Sequence, residues 1–332
     1  MPVGILRADL HLHSEASGLK QLPFMRMRDC YSPPMDVYRR AKARGMDLVT
    51  LTDHDTIDGC LEIRERLGDP PDFFMSEEVE TFLPGGRSMH IGVFGITESQ
   101  HREIQSLRRD FEDLVGYLEE QRIAASLNHL FRGHRPGMAM AAYLAPLVNR
   151  FDLIETRNGT QSGFYREQTR RAIETLREGA GPGETGGSDA HTLARIARTW
   201  TECPGHDRDS YLDSLRAGHG RTFGDDGRLL PLARDVYSVI FSYYATLFDR
   251  GRVRFARGEK WPGALFCVAT LPSHLIAFPF LATAYNRLAK RRVLARVREA
   301  LDRIDRERGA AGGEGLVPGA VAPADLVPET ES

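Results

Sequence analysis

The stretch Asp9-Leu10-His11-Leu12-His13-Ser14 sets three titratable side chains at alternate positions just after the apolar run Val3-Gly4-Ile5-Leu6. On an extended chain side chains alternate between faces, so Asp9, His11 and His13 share one face and Leu10 and Leu12 the other. A purely structural strand seldom turns such a trio toward a core, because buried polar groups need partners. A metal ion supplies them. Similar donors recur after later apolar runs: Asp53, His54 and Asp55 in "LVTLTDHDTIDG", Glu77, Glu78 and Glu80 in "FFMSEEVET", and His90 in "SMHIGVF". His129 follows in "SLNHLFRG", Glu155 and Asn158 in "LIETRNG", and Asp189 and His191 in "GGSDAHT". Imidazoles with carboxylates and without thiolates suit Zn, Mn or Fe, and the donors outnumber what one ion takes. Singly, each piece has a plainer reading. "TDHD" can cap a helix, "GSDAHT" can be a turn with an N-cap, and His90 can be a hydrogen-bonded core residue. Their recurrence at one level of successive units is what points to a site.

The elements that must position these groups alternate strand-like runs with amphipathic stretches over about the first 225 residues, the pattern of an α/β domain with a mainly parallel sheet. Strands are expected at Ile5–His11, Asp47–Leu51, Phe73–Val79, Met89–Phe94, Ile123–Leu127, Leu153–Thr156 and Thr199–Cys203. Helices are expected at Pro34–Arg44, Thr56–Leu67, Ser99–Gln121, Met138–Val148, Phe164–Gly179 and Arg208–Gly218. About seven such units favour a barrel, whose chemistry sits at the C-terminal strand ends. The net charge of -2 over 332 residues gives no whole-chain attraction to nucleic acid or anionic membrane. Cys30, Cys60, Cys203 and Cys267 stand apart with no CxxC pairing, which argues against a disulfide framework and a thiolate zinc site. With no charged-then-apolar leader, the expected location is cytoplasmic, with a peripheral membrane position left open by the C-terminal third.

The ordered set "DLHLHS", "TDHDT", "SEEVET", "MHIGVF", "NH", "IETRNG" and "GSDAHT" resembles the polymerase and histidinol phosphatase (PHP) superfamily over about residues 5–224. The resemblance implies a distorted (β/α)7 TIM-like barrel, a cluster of two or three divalent metal ions, and phosphoester hydrolysis. Carried over, His11, His13 and Asp189 hold one metal, Glu78 bridges to a second completed by His90 and His129, and His54 and His191 hold a third. Glu77 and Glu80 are expected to flank Glu78 on the opposite strand face. The expected catalytic set is Asp53, His54 and His191, with Asp53 fixing the tautomer of a ligand histidine. Cations sharing Glu78 would bring the pKa of a bound water toward neutrality. Arg132, Arg135 and Arg157 are candidate phosphate clamps, and Asn158 a candidate substrate contact. At one place the chain departs from the family. Gly18 stands where the family often has a carboxylate for the third metal, with Glu15 or Asp29 as substitutes and a binuclear enzyme as the alternative. The substrate would be a small phosphomonoester, a nucleotide or a short oligonucleotide, with nucleic acid entering only as substrate. An amidohydrolase-type C–N hydrolase and a PHP module kept for binding or scaffolding are the alternatives.

Past Gly227 the character changes. Residues 1–225 are read as the phosphoesterase domain, 226–308 as a helical extension and 309–332 as a disordered tail of small residues, proline and acids. Trp261–Asn286 carries no Asp, Glu, Lys or Arg, the length of a spanning helix, but Pro272, Pro279 and Ser273-His274 oppose that. A buried hairpin or an oligomer interface is favoured over a membrane contact through 261–308. In Arg287–Arg308 an apolar stripe of Leu294, Val297, Leu301 and Ile304 marks a helix packed on the domain with a solvated basic side.

Overall fold

The computed structural model describes residues 4–22, 25–132, 140–248 and 277–310, with scattered positions between 265 and 273. Its strands are β1 (Gly4–Ala8), β2 (Leu19–Leu22), β3 (Met25–Arg28), β4 (Ser76–Leu83), β5 (Arg87–Phe94), β6 (Ala124–Asn128), β7 (Leu153–Asn158), β8 (Gly183–Gly187), β9 (Thr199–Gly205) and β10 (Arg221–Gly224). The helices are α1 (Pro34–Ala43), α2 (Asp58–Leu67), α3 (Glu98–Leu107), α4 (Phe111–Glu120), α5 (Met140–Arg150), α6 (Gly163–Leu176), α7 (Arg208–Arg216), α8 (Leu229–Phe248) and α9 (Phe278–Ala310).

The regular ladders form three sheets, β1-β9-β10, the hairpin β2-β3, and β4-β5-β6-β7-β8. The expected parallel pairing holds only for β6-β7-β8, whereas β4-β5-β6 is antiparallel. The reason lies in the connection. β4 and β5 are joined by Pro84-Gly85-Gly86, with both glycines at positive φ, and so short a link cannot make a crossover. Single contacts link the segments that the ladders leave apart. Leu12 bridges Ala190 and His54 bridges Glu78, both parallel. Thr52 N donates to Leu12 O at 2.8 Å, and Glu78 N donates to Asp53 O at 3.1 Å. Residues 47–51, expected as a strand, form no ladder among the described residues; a bridge runs from Val49 to Phe73, and Asp47 N and Leu48 N donate to Arg7 O of β1.

Two further expectations change. The stretch read as one helix over 99–121 is two, because Asp110 caps α4 by accepting from Glu112 N and Asp113 N. The strand β8 was not legible at all. "GETGG" has little strand propensity, and its place is set by neighbours, since a Cβ at Gly187 would collide with the backbone of His11. Glycine is what lets these two segments touch.

Leu294, Val297 and Leu301 of α9 belong to the same buried core cluster as Leu51, Val79, Ile91 and Ile154. Beside that stripe Arg171 of α6 pairs with Asp302 at 2.5 Å and Asp305 at 2.7 Å. The apolar stripe therefore packs on the domain. Among the described residues no helix is long and apolar enough to cross a membrane. Most of the apolar segment 261–277 and the tail 311–332 lie outside the described residues. Because one core serves both parts, Leu301→Ala is expected to cost about 2–5 kcal/mol, the usual range for a fully buried leucine. Calorimetry should then show one transition at a lower temperature. Two separate transitions would mean that the extension folds independently.

Candidate metal centre

The hairpin β4-β5 sets the centre. Its register pairs Glu78 with Gly92 and Glu80 with His90, and the period of two puts all four positions on one face. Glu80 therefore shares the face of Glu78, contrary to the flanking arrangement expected. Its Oε1 lies 3.8 Å from His90 Nε2 and 3.4 Å from Arg132. Glu77 does turn away, bonded to His101 Nδ1 at 2.9 Å and Gln105 Nε2 at 2.8 Å on α3. Glycine at position 92 leaves room for Asn128, whose Nδ2 donates to Glu78 Oε1 at 3.0 Å. Asn128 was not singled out from the sequence, and its only signal is its place before His129.

The Glu78 side chain is fully buried, and its two oxygens face different imidazoles. Oε1 lies 3.2 Å from His11 Nε2, 3.1 Å from His90 Nδ1 and 3.4 Å from His129 Nε2. Oε2 lies 3.0 Å from His54 Nδ1 and 3.8 Å from His13 Nε2. On the far side Asp189 Oδ1 is 3.6 Å from His11 Nε2, 3.5 Å from His13 Nε2 and 3.7 Å from His191 Nδ1. All the histidines and carboxylates named as ligands are thus brought into one cluster. Asp189 and His129 sit at positive φ, 49° and 51°, the costly left-handed region that non-glycine residues keep mainly where function requires it.

Near the departure at Gly18, Asp29 reaches two of the candidate histidines. Its Oδ2 lies 3.4 Å from His54 Nε2 and 3.9 Å from His191 Nε2. A carboxylate from the segment after β3 thereby stands beside the two imidazoles assigned to a third site. Gly18, at φ 82°, has open space where a side chain would project.

Around the centre lies a layer of polar groups that hold these side chains. Glu155 Oε1 is 2.7 Å from His11 Nδ1, which donates to it and turns Nε2 toward the centre. Asp9, grouped with the histidines by sequence, instead faces away from the centre. It accepts from Ser188 N, Ser188 Oγ and Ala197 N at 2.8, 2.5 and 2.8 Å, clamping the first segment to the loop after β8. Asp53 accepts from Ser14 N, Ser14 Oγ and Ser17 Oγ. Ser17 in turn meets His13 Nδ1 at 3.2 Å, so Asp53 acts on a histidine only through that hydroxyl. Two expected substrate contacts are also placed otherwise. Asn158 is buried, donating to Glu155 Oε1 and Asp189 Oδ2, and so positions carboxylates. Arg157 turns behind the sheet to the carbonyl of Gly224, because a bulge between Glu155 and Arg157 shifts the alternation of β7. Arg132 does line the cavity, whereas Arg135 lies outside the described residues.

Crowding sets the charge states. Burial alone would lower His11, yet the carboxylates of Glu78, Asp189 and Glu155 hold it well above its ordinary value. Burial and the neighbouring His54 and His191 pull His13 down to about 3. His54 is raised to about 10, the carboxylates of Asp29 and Glu78 beside it outweighing its burial. Burial would raise Glu78, but His11 and His90 hold it well below the carboxylate range.

The donor set fits metal ions. Ligand atoms within 4.8 Å of one another converge in His11-His13-Asp189, His11-Glu78-His129, His54-Glu78-His90 and His13-His54-His191. His11 Nε2, His13 Nε2, His90 Nδ1 and Glu78 Oε2 are buried without a hydrogen-bond partner. Such orphaned atoms are rare in folded proteins unless something else satisfies them. The clustered histidines and carboxylates are therefore consistent with a multi-metal site.

A family model described as PHP-associated matches residues 168–219, from within α6 to just past α7, and so includes Asp189 and His191. The chain thus carries a PHP-associated region there. It is 33% identical over 60 residues to an uncharacterized protein of Methanocaldococcus jannaschii, covering 18% of this chain and 35% of that one. The chain thus spans about a third of the length of that curated relative. Among solved structures it is similar to PsfC from Pseudomonas syringae PB-5123, with a TM-score of 0.49 and 18% identity, over 74% of this chain and 100% of the other. It is also similar to an amidohydrolase from Chromobacterium violaceum, with a TM-score of 0.46 and 17% identity, over 65% and 97%.

Replacing Glu155 by Gln is expected to weaken metal binding about 10- to 100-fold, the usual effect of losing the group that orients a ligand histidine. Titration of the metal-free protein with Zn or Mn would measure it, and unchanged affinity would separate Glu155 from the centre. Asp29→Ala should remove only the weakest of the binding steps.

Proposed function

We propose that the protein is a metal-dependent phosphoesterase acting on a small phosphomonoester or nucleotide, built on a distorted barrel of seven β/α units. The observation that carries this reading is the Glu78 carboxylate, whose two oxygens face separate sets of imidazoles as a bridging ligand must. His11, His13 and Asp189 would hold one cation, and His90 and His129 with Glu78 a second. His54 and His191, with Asp29, would hold a third. Nitrogen and oxygen donors without thiolate suit Zn, Mn or Fe. When bound, such cations activate water and offset the charge that builds on phosphoryl oxygens.

The remaining work falls to the chain itself. Glu155 and Asn158 fix His11 and Asp189 in the orientation that ligation requires. Arg132 offers a guanidinium in the cavity wall for a phosphate oxygen. The cavity, about 780 Å³, is in the range of small-molecule sites, which favours a monoester or nucleotide over a longer chain. Support for the seven-unit barrel comes from the single bridges that link Leu12 to Ala190 just past β8, Val49 to Phe73 just before β4, and His54 to Glu78 of β4. An amidohydrolase-type reading has less support, because Glu78 is shared by two of the candidate ligand clusters and the lysine that lines the cavity, Lys290, stands on α9 and not at a strand end.

Purified without chelator, the protein should carry about two or more divalent cations per chain and release phosphate from phosphomonoesters. His11→Ala and Asp189→Ala should each lower turnover by at least about a hundredfold. Hydrolysis indifferent to chelation and to both substitutions would overturn the reading.

A further inference from the structure

One wall of the metal-lined cavity comes from α9. Ala289, Lys290, Val293 and Leu294 line it beside Phe131 and Arg132. Positions 290, 294, 297 and 301 follow the 4-3-4 spacing of a single helix stripe. The last three are buried in the main core. At the first, where the stripe passes the cavity, the periodicity calls for an apolar residue and the chain has a lysine.

We infer that Lys290 is a substrate-binding residue, receiving together with Arg132 the negative charge of a phosphomonoester whose apolar body rests on Phe131, Val293 and Leu294. The inference rests on the phosphoesterase reading above and narrows its substrate class. Lys290 Nζ donates to Gln161 Oε1 at 3.2 Å. Gln161 Nε2 donates to Thr160 Oγ1 at 3.5 Å, and Thr160 Oγ1 to Asp189 Oδ2 at 2.9 Å. The ammonium is therefore held by a short chain of hydrogen bonds that ends on a carboxylate of the centre. That chain fixes where the charge sits relative to the candidate ligands.

The partner of Lys290 is a neutral amide, and among the described residues it forms no salt bridge. Arg132, by contrast, shares Glu80 at 3.4 Å. Lys290 is exposed at the cavity wall; the protein around its ammonium lowers its pKa, Asp189 opposes that, and Arg132 and Arg287 add to it. A cation so placed gains from an incoming anion, because its hydrogen-bond partner is a neutral amide and its charge is left to pair with a phosphate oxygen. The apolar neighbours give the other half of the recognition. They favour an ester with a hydrophobic or planar group over one carrying further phosphates.

The test compares wild type, Lys290→Met and Lys290→Arg, all metal-loaded, with p-nitrophenyl phosphate as substrate and inorganic phosphate as ligand. Lys290→Met is expected to raise KM and to weaken calorimetric phosphate binding by about tenfold each, at unchanged metal content, and Lys290→Arg to restore most of both. Thermal unfolding of each variant reports whether it is folded. If Lys290→Met unfolds, the folded Lys290→Arg and a Gln161→Leu variant, which frees the ammonium from its anchor, are read by the same phosphate titration. Wild-type turnover with KM and phosphate binding unmoved in the variants would overturn the role of Lys290 and leave the phosphoesterase reading standing. Absence of wild-type turnover on any phosphomonoester would instead overturn that reading, and phosphate binding alone would then decide the role of Lys290.

Discussion

The constraint on which the centre depends is the burial of one carboxylate. Glu78 is wholly removed from solvent, and an ionised group in that position is tolerated only if donors or cations surround it. The imidazoles that do so come from separate stretches of chain: His11 and His13 from the segment after β1, His54 from the loop before α2, His90 from β5 and His129 from the end of β6. No two of those stretches adjoin in the sequence, and only β5 follows directly on β4, which carries Glu78. The centre therefore holds only if the ring of segments around it holds. The same proximity keeps Glu78 well below the usual carboxylate range.

A second layer of carboxylates secures that ring. Asp9 ties the segment after β1 to Ser188 and Ala197, and Asp53 ties the next segment to Ser14 and Ser17. Neither touches the cavity, and both are buried. Burial pushes Asp9 up to about 6 in spite of the N–H and O–H groups aimed at it. Two kinds of acid thus occupy the same strand ends, one set facing inward as candidate ligands and the other serving as braces. Close backbone approach completes the arrangement, with Gly187 against His11 and Gly92 admitting Asn128.

The long C-terminal helix belongs to the same structure. Its apolar stripe enters the main core, and its N-terminal half reaches the cavity. A division of the chain at about residue 225 follows the change of composition but cuts through one hydrophobic cluster. The shape of the cavity is thus set jointly by the strand ends and by a helix that begins more than 50 residues further along the chain than the last strand.

The donor residues themselves were legible in the sequence, because imidazoles and carboxylates at strand ends have few structural uses and recur there in order. Helix stops and starts, and the stripe of α9, were legible for the same local reason, since periodicity and capping act over a few residues. What the linear chain left open is whatever depends on contacts made far away. Asp9 reads like His11 and His13 by alternation, yet its partners lie nearly 180 residues on, at Ser188 and Ala197. The strand "GETGG" has no propensity of its own and exists because its neighbours need a surface without side chains. Asn158 and Arg157 change roles at a bulge that no residue type announces. That Asp29 comes beside His54 and His191 follows from the path of the segment around β2 and β3, which the linear chain does not show. The types and order of the groups are a property of the sequence, whereas the direction in which each one points is a property of packing at long range.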